Sequence, residues 1–181
     1  AHFSGVDGSE IVLQSTINQG AGALYFNNNM TVRAENNNDT WTGAGIVVNG
    51  NKTVNWQVKN PQGDRLSKLG TGTLLVNGKG KNLGDISVGD GTVILDQKAE
   101  NGQQQAFNQV GITSGRGTVV LANDKQVNPN NIYFGFRGGR LDLNGNALSF
   151  NYIQNADDGA KIVNHNRNQT ASITIGKDLA E

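Results

Sequence analysis

The sequence predicts an all-β chain folded as a parallel β-helix, a solenoid with three short strands per coil and a few protruding polar loops. Three observations carry that reading. A Gly-rich turn followed by a β-branched or aliphatic strand recurs as Gly70-Thr71-Gly72-Thr73-Leu74-Leu75-Val76, Gly89-Asp90-Gly91-Thr92-Val93-Ile94-Leu95, Gly115-Arg116-Gly117-Thr118-Val119-Val120-Leu121 and Gly138-Gly139-Arg140-Leu141-Asp142-Leu143. The copies recur at spacings of roughly 19 to 26 residues with no helical period between them, as expected of stacked coils. Within candidate strands the apolar residues alternate, as in Leu141-Asp142-Leu143 and Ile173-Thr174-Ile175, so one face points into the coil. The hydrophobic fraction of 35% and mean hydropathy of −0.46 are lean for a globular α/β core but suit a long axis that buries a thin stripe per coil.

Short runs bounded by turn residues place strands at 11–15, 22–26, 30–34, 45–48, 53–58, 66–69, 73–76, 85–88 and 92–95. The second half continues at 108–112, 117–121, 131–134, 140–143, 147–150, 160–163 and 171–175. Each is too short for a sandwich strand and suits a three-sided coil. The 25 Gly supply positive φ in the turns, Asn tolerates the same region and bonds its own backbone, and Pro is nearly absent at 2 residues. About seven or eight coils at ~4.8 Å per strand give a rod about 35 Å long. Segments 35–40, 97–106 and 123–130 are polar and aperiodic, and are expected to bulge from the rod as solvated loops.

Fifteen basic and fifteen acidic residues cancel, so the chain carries no electrostatic footprint for nucleic acid or an anionic membrane. With no Cys there is neither a disulfide framework nor a thiolate metal site. The N-terminus, Ala1-His2-Phe3-Ser4, has no initiator Met and no signal segment, so a mature or excised piece of a longer protein is expected.

Chemistry-bearing residues are sparse. Of the two His, His2 sits at a terminus expected to fray and His165 lies within Asn164-His165-Asn166; neither has the surroundings of a catalytic base, and no Gly-Asp-Ser-Gly turn raises a nucleophile. The adjacent carboxylates Asp157 and Asp158 occupy a turn, Asn155-Ala156-Asp157-Asp158-Gly159, and geometry explains them. Gly89-Asp90-Gly91 is one isolated fragment of a calcium-binding repeat. Four N-x-T sequons begin at Asn29, Asn38, Asn51 and Asn168, in a chain rich enough in Asn and Thr to match by chance. Tyr133, Phe134 and Phe136 read as stacked core rings in preference to an exposed platform. The residues thus assign no catalytic, cofactor-binding or metal-binding role.

Longer phrases carry a resemblance over essentially the whole chain. Phe3-Ser4-Gly5-Val6-Asp7-Gly8, Gln19-Gly20-Ala21-Gly22-Ala23-Leu24-Tyr25-Phe26, Asp64-Arg65-Leu66-Ser67-Lys68-Leu69-Gly70, Ser87-Val88-Gly89-Asp90-Gly91-Thr92-Val93-Ile94-Leu95, Tyr133-Phe134-Gly135-Phe136-Arg137-Gly138-Gly139-Arg140-Leu141-Asp142-Leu143-Asn144-Gly145 and Ile162-Val163-Asn164-His165-Asn166 resemble the passenger stem of serine protease autotransporters of the immunoglobulin A protease type. The resemblance implies a right-handed parallel β-helix, with residues 1–181 forming a single segment of a longer passenger. It implies a trypsin-like protease domain N-terminal to that stem and a C-terminal outer-membrane barrel as partners on the same polypeptide, and export through periplasm and outer membrane to the surface or medium. The family's catalytic His, Asp and Ser have no matching positions here, so the segment is expected to be non-catalytic and cofactor-free. A rigid spacer that also aids export is the first expectation. An adhesin module binding host proteins or glycans through loops or exposed faces such as Lys52, Asn55 and Gln57 is the second, and self-association through the open ends follows from the geometry.

Overall fold

The computed structural model describes residues 1–176, which form a parallel β-solenoid of eight coils. The first four coils are β1 (His2–Phe3) with β2 (Ser9–Leu13), β3 (Ile17–Phe26) with β4 (Met30–Ala34), β5 (Trp41–Val48) with β6 (Thr53–Trp56), and β7 (Arg65–Leu69) with β8 (Thr73–Val76). Next come β9 (Asp85–Val88) with β10 (Gly91–Leu95) and β11 (Gln109–Ile112) with β12 (Gly117–Leu121). The last two coils have three strands each: β13 (Ile132–Phe134), β14 (Gly139–Asp142) and β15 (Ala147–Phe150), then β16 (Gln154–Asn155), β17 (Ala160–Val163) and β18 (Ser172–Ile175). The first strand of every coil joins one eight-stranded sheet and the second joins another, each strand bonded to its counterparts in the coils before and after.

Register explains the recurring sequence phrase. Thr53, Thr73, Thr92 and Thr118 stand directly over one another, followed by Arg140 and Lys161, so the Gly-turn-strand copies are the same corner seen in successive coils. One inward row of the second sheet runs Met30, Val54, Leu74, Val93, Val119, Leu141, and the next runs Val32, Trp56, Val76, Leu95, Leu121. All of these are buried, and facing them from the first sheet are Leu66, Ile86, Val110 and Ile132. Strand period two puts alternate side chains inside, and unit stacking turns that alternation into continuous apolar columns.

The third side departs from the expected third strand. Among the described residues it carries regular pairing only between β15 and β18, with single parallel bridges Thr40 to Lys59 and Lys79 to Lys98 earlier. Backbone stacking persists there, but buried amide side chains complete it: Asn60 and Asn82, each 2% exposed, bond one another, and Asn82 reaches the Ala106 carbonyl at 2.9 Å. Period-two alternation is absent where a side chain replaces a ladder bond, so no strand signal reaches the sequence.

Other boundaries also moved. Strand β3 begins at Ile17, not at 22, because Gly20 and Gly22 at φ 69° and 122° form bulges that bend the strand without ending it. Strands β1 and β16, two residues each, had no periodicity to betray them. The segment 97–106 leaves the coil only at its tip, since Gln97 and Ala106 are buried and Glu100 to Gln103 closes a small hairpin. Gln126 and Val127 are likewise buried within 123–130, which also holds the 3₁₀ turn Pro129–Asn131. Twelve Gly take positive φ, joined there by Asn51, Asn101, Asn144 and Arg137, whereas others such as Gly45 and Gly111 lie within strands.

The corners are packed so closely that some glycines have no substitute. A Cβ on Gly138 (φ 73°) would overlap the backbone of Gly159 and Ala160 in the next coil, whereas Gly63 (φ 84°) faces open space. Both alanine substitutions incur the left-handed strain of about 1–2 kcal/mol. Gly138→Ala should cost about 1–3 kcal/mol more through overpacking, read as a lower denaturation midpoint than that of Gly63→Ala. Equal midpoints would show that the corner yields.

Candidate functional site

Each chemistry-bearing residue picked from the sequence has a definite place, and the column disperses them. His2 does not fray: it pairs in β1, its ring stacks on Tyr25 at 4.5 Å, and the Ala1 ammonium donates to the Ala23 carbonyl at 2.9 Å. His165 lies at the other end and does meet a carboxylate, correcting the expectation that it lacks such surroundings. Its Nδ1 is 3.3 Å from Asp142 Oδ2, and Asp142, 5% exposed, also accepts from the backbone N–H groups of Asn144 and His165. Among the described residues the His165 ring meets the Asp142 carboxylate and no hydroxyl. Asp142 acts instead as a pin between coils seven and eight.

Asp157 behaves as a turn residue. Its carboxylate accepts from the N–H groups of Arg137 and Gly159, both at 2.8 Å, and these two bonds hold its pKa below the ordinary carboxylate value. Among the described residues no three His, Cys, Asp or Glu side chains gather where a metal could bind. The three aromatics divide: Phe134 is buried in the inward row above Ile112, Tyr133 lies across the outer face where its ring fills the space over Gly111, and Phe136 is 77% exposed at a turn tip. Core burial therefore holds for Phe134 alone, and its neighbour in the row is the aliphatic Ile112, not another ring. Of the sequons, Asn29 is engaged, its Oδ1 accepting from Thr53 N–H, while Asn38, Asn51 and Asn168 sit exposed on turns.

The residue that sequence reasoning missed is Lys68. In the inward row Leu24, Ile46, Lys68, Val88, Ile112, Phe134 it is the single cation, and it is fully buried. Its Nζ donates to the Gly70 carbonyl of its own corner at 2.8 Å and to the Asp90 carbonyl of the next corner at 3.0 Å. Burial lowers its pKa from 10.5 to about 8, and the nearby Asp90 charge opposes that shift. The Gly89-Asp90-Gly91 fragment thus hosts an ammonium, with Gly91 (φ 70°) pressed against the Gly70 and Gly72 carbonyls. The alternation in Arg65-Leu66-Ser67-Lys68-Leu69 was the available signal, since it puts Lys68 on the same face as Leu66. A lysine there reads as polar only when the strand phase is ignored.

Chemically, the assembly offers a continuous dry interior with polar pegs. The amide and ammonium groups cross from coil to coil, as does the Gln126 side chain, which accepts from the Gln97 N–H at 2.7 Å and donates to the Gln97 carbonyl at 3.1 Å, while Gln97 Nε2 donates to the Gly80 carbonyl at 2.9 Å.

The chain is 63% identical over 166 residues to the adhesion and penetration protein autotransporter of Haemophilus influenzae, covering 91% of the chain and 12% of that protein. It is 59% identical over 175 residues to the IgA-specific serine endopeptidase autotransporter of Neisseria gonorrhoeae, covering 96% and 11%, and 52% identical over 174 residues to the serine protease SepA autotransporter of Shigella flexneri, covering 96% and 12%. The chain thus spans about a tenth of the length of these relatives. Among solved structures it resembles the Haemophilus influenzae Hap adhesin, with a TM-score of 0.93 and 55% identity over 96% of this chain and 19% of that one. It also resembles the passenger domain of the plasmid encoded toxin of enteroaggregative Escherichia coli, with a TM-score of 0.82 and 35% identity over 93% and 18%. No family model matches.

Lys68 makes the interior testable by pH. Between about 8 and 10.5 the unfolded chain keeps a proton on this lysine that the folded chain has released, so stability rises with pH through that window. Relative to Lys68→Met, the unsubstituted chain should gain up to ~3 kcal/mol of unfolding free energy between pH 7 and pH 10.5, measured by denaturant titration. Parallel pH profiles for the two proteins would contradict the buried charge.

Proposed function

We propose that this chain, a β-helical segment of an autotransporter passenger of the immunoglobulin A protease type, serves as the non-catalytic rigid stem of an exported protein. The observation that carries the proposal is the coil-on-coil stacking of two eight-stranded sheets around one apolar interior, its register shifted at the β3 bulges. Bending such a column means breaking backbone bonds on one side while compressing packed side chains on the other, so stiffness comes with the fold. In the longer protein the stem spaces and supports a serine endopeptidase domain whose catalytic triad lies outside this chain, and a translocator barrel carries both to the cell surface or medium.

Export follows from the same geometry. A folded coil presents a strand edge that templates the next, so each coil formed outside the cell opposes backsliding of the chain still in transit. The open ends present unpaired edges as well, and an isolated segment self-associates through them. A second reading is favoured by the Hap adhesin relative: the column displays binding surfaces for host molecules on its outer faces and loops. The two readings share the scaffold and differ in what the surface contributes.

In-register deletion of coils four to six from the full-length protein should lower its secreted yield several-fold while the released protease keeps its specific activity on a small peptide substrate. Unchanged secretion with lost specific activity would contradict the stem.

A further inference from the structure

Asparagine followed by glycine carries a chemistry of its own, because no side chain shields the glycine nitrogen from the carboxamide carbon before it. The two atoms can join into a cyclic imide wherever the backbone between them is free to rotate. Four such steps occur in the chain, beginning at Asn49, Asn77, Asn101 and Asn144. Three are held between coils. The Asn49 N–H donates to the Phe26 carbonyl at 3.1 Å and its side chain to Asn27 Oδ1. The Asn77 N–H donates to the Trp56 carbonyl at 3.2 Å, its Oδ1 is shielded from solvent, and Gly78 lies against the Gln57 backbone. Asn144 Nδ2 donates to the Leu121 carbonyl at 3.1 Å, and the Gly145 N–H to Asn164 Oδ1 at 2.9 Å.

The fourth step is built differently. Asn101 and Gly102, at φ 53° and 76°, form the exposed tip of the small hairpin on coil five. Among the described residues neither makes a hydrogen bond, and a Cβ placed on Gly102 would meet open space. The tip is closed by the Glu100 N–H to the Gln103 carbonyl at 2.9 Å and the Gln103 N–H to the Glu100 carbonyl at 3.1 Å. Opening it disturbs no coil, whereas freeing any of the other three parts neighbouring coils. We propose that Asn101 is a site of spontaneous deamidation, through which the folded chain acquires an isoaspartyl linkage and a new negative charge. Solvent base takes the Gly102 amide proton, the nitrogen attacks Cγ of Asn101, and ammonia leaves as the imide closes. Water then breaks one of the two imide C–N bonds and the nitrogen regains a proton: cleavage at Cγ gives aspartate, cleavage at the backbone carbonyl gives isoaspartate. One water is consumed and one ammonia released.

The product alters a clasp on the third side. The segment 35–40, expected to stand free in solvent, folds against this hairpin: Asn37 Nδ2 donates to the Lys79 carbonyl at 3.2 Å and to Glu100 Oε1 at 3.3 Å, and Lys79 Nζ lies 3.6 Å from Glu100 Oε2. An isoaspartyl linkage adds a carbon to the backbone of a two-residue turn, so the bonds between Glu100 and Gln103 lose their geometry and the clasp loosens. The site is independent of the stem role, since the column stays paired whether or not its tip has changed.

The test holds the folded chain in mildly alkaline buffer for days and follows all four steps by peptide mapping, with an isoaspartyl methyltransferase assay to report the isomer. Asn101 should convert about tenfold faster or more than Asn49, Asn77 and Asn144, the factor set by the hydrogen bonds that must open first at those positions. In denaturant the four should convert at similar rates. Gly102→Ala, which puts a methyl group into open space beside the attacking nitrogen, should slow conversion of Asn101 severalfold. An Asn101 that stays intact in the folded chain, a ranking of the four unchanged by denaturant, or equal conversion in Gly102→Ala overturns the proposal.

Discussion

Every level of this molecule depends on each coil lying in register on the one before it. Parallel strand bonds along the axis fix the spacing, and that spacing converts alternation within each short strand into unbroken columns such as Val54, Leu74, Val93, Val119 and Leu141. A slip of one residue would carry Leu74 and Val93 to the outer face and draw Thr73 and Thr92 inward. The corners enforce the same register sterically, because Gly72, Gly91 and Gly138 admit no Cβ without displacing the backbone of a neighbouring coil. Apolar burial contributes about 1.5–3 kcal/mol for each fully enclosed aliphatic side chain, but only after the corners have closed.

Aliphatic rows alone discriminate poorly between one coil pairing and another, since Leu, Val and Ile occupy equivalent places in every turn. The polar groups of the interior supply the missing discrimination. Lys68 finds its second carbonyl only when the Asp90 corner sits above it, and Asn60 finds Asn82 only in the native pairing. A wrong pairing would strand a buried ammonium or amide, at a cost larger than the loss of any one methyl contact. The same logic explains Asp142, which gathers two backbone N–H groups and the His165 ring at the junction of the last two coils.

The sequence made the solenoid legible because two sides of each coil obey period two and are punctuated by Gly at one corner. Most of the strands in those sides, including 30–34, 73–76 and 117–121, lie where alternation placed them. The third side was legible in the last two coils, where 147–150 and 171–175 hold β15 and β18, but not before them, because Asn60, Asn82, Gln97 and Gln126 look like loop residues while acting as buried ladder bonds. Burial of a polar side chain depends on a partner some twenty residues away, and no local pattern encodes that partner. Lys68 was half legible: its strand phase points inward, but charge argued the other way. The course of 35–40 was invisible, since it is fixed by Asn37, whose bonds cross to residues in coils four and five.

If stacking between neighbouring coils carries the stability, opening must begin at the ends and fade inward. Amide hydrogen exchange resolved along the chain measures this directly. The account predicts the slowest exchange in β8, β9, β10 and β11, with protection falling coil by coil toward β1 and toward β17. Uniform protection from end to end, or central coils exchanging as fast as the terminal ones, would contradict it.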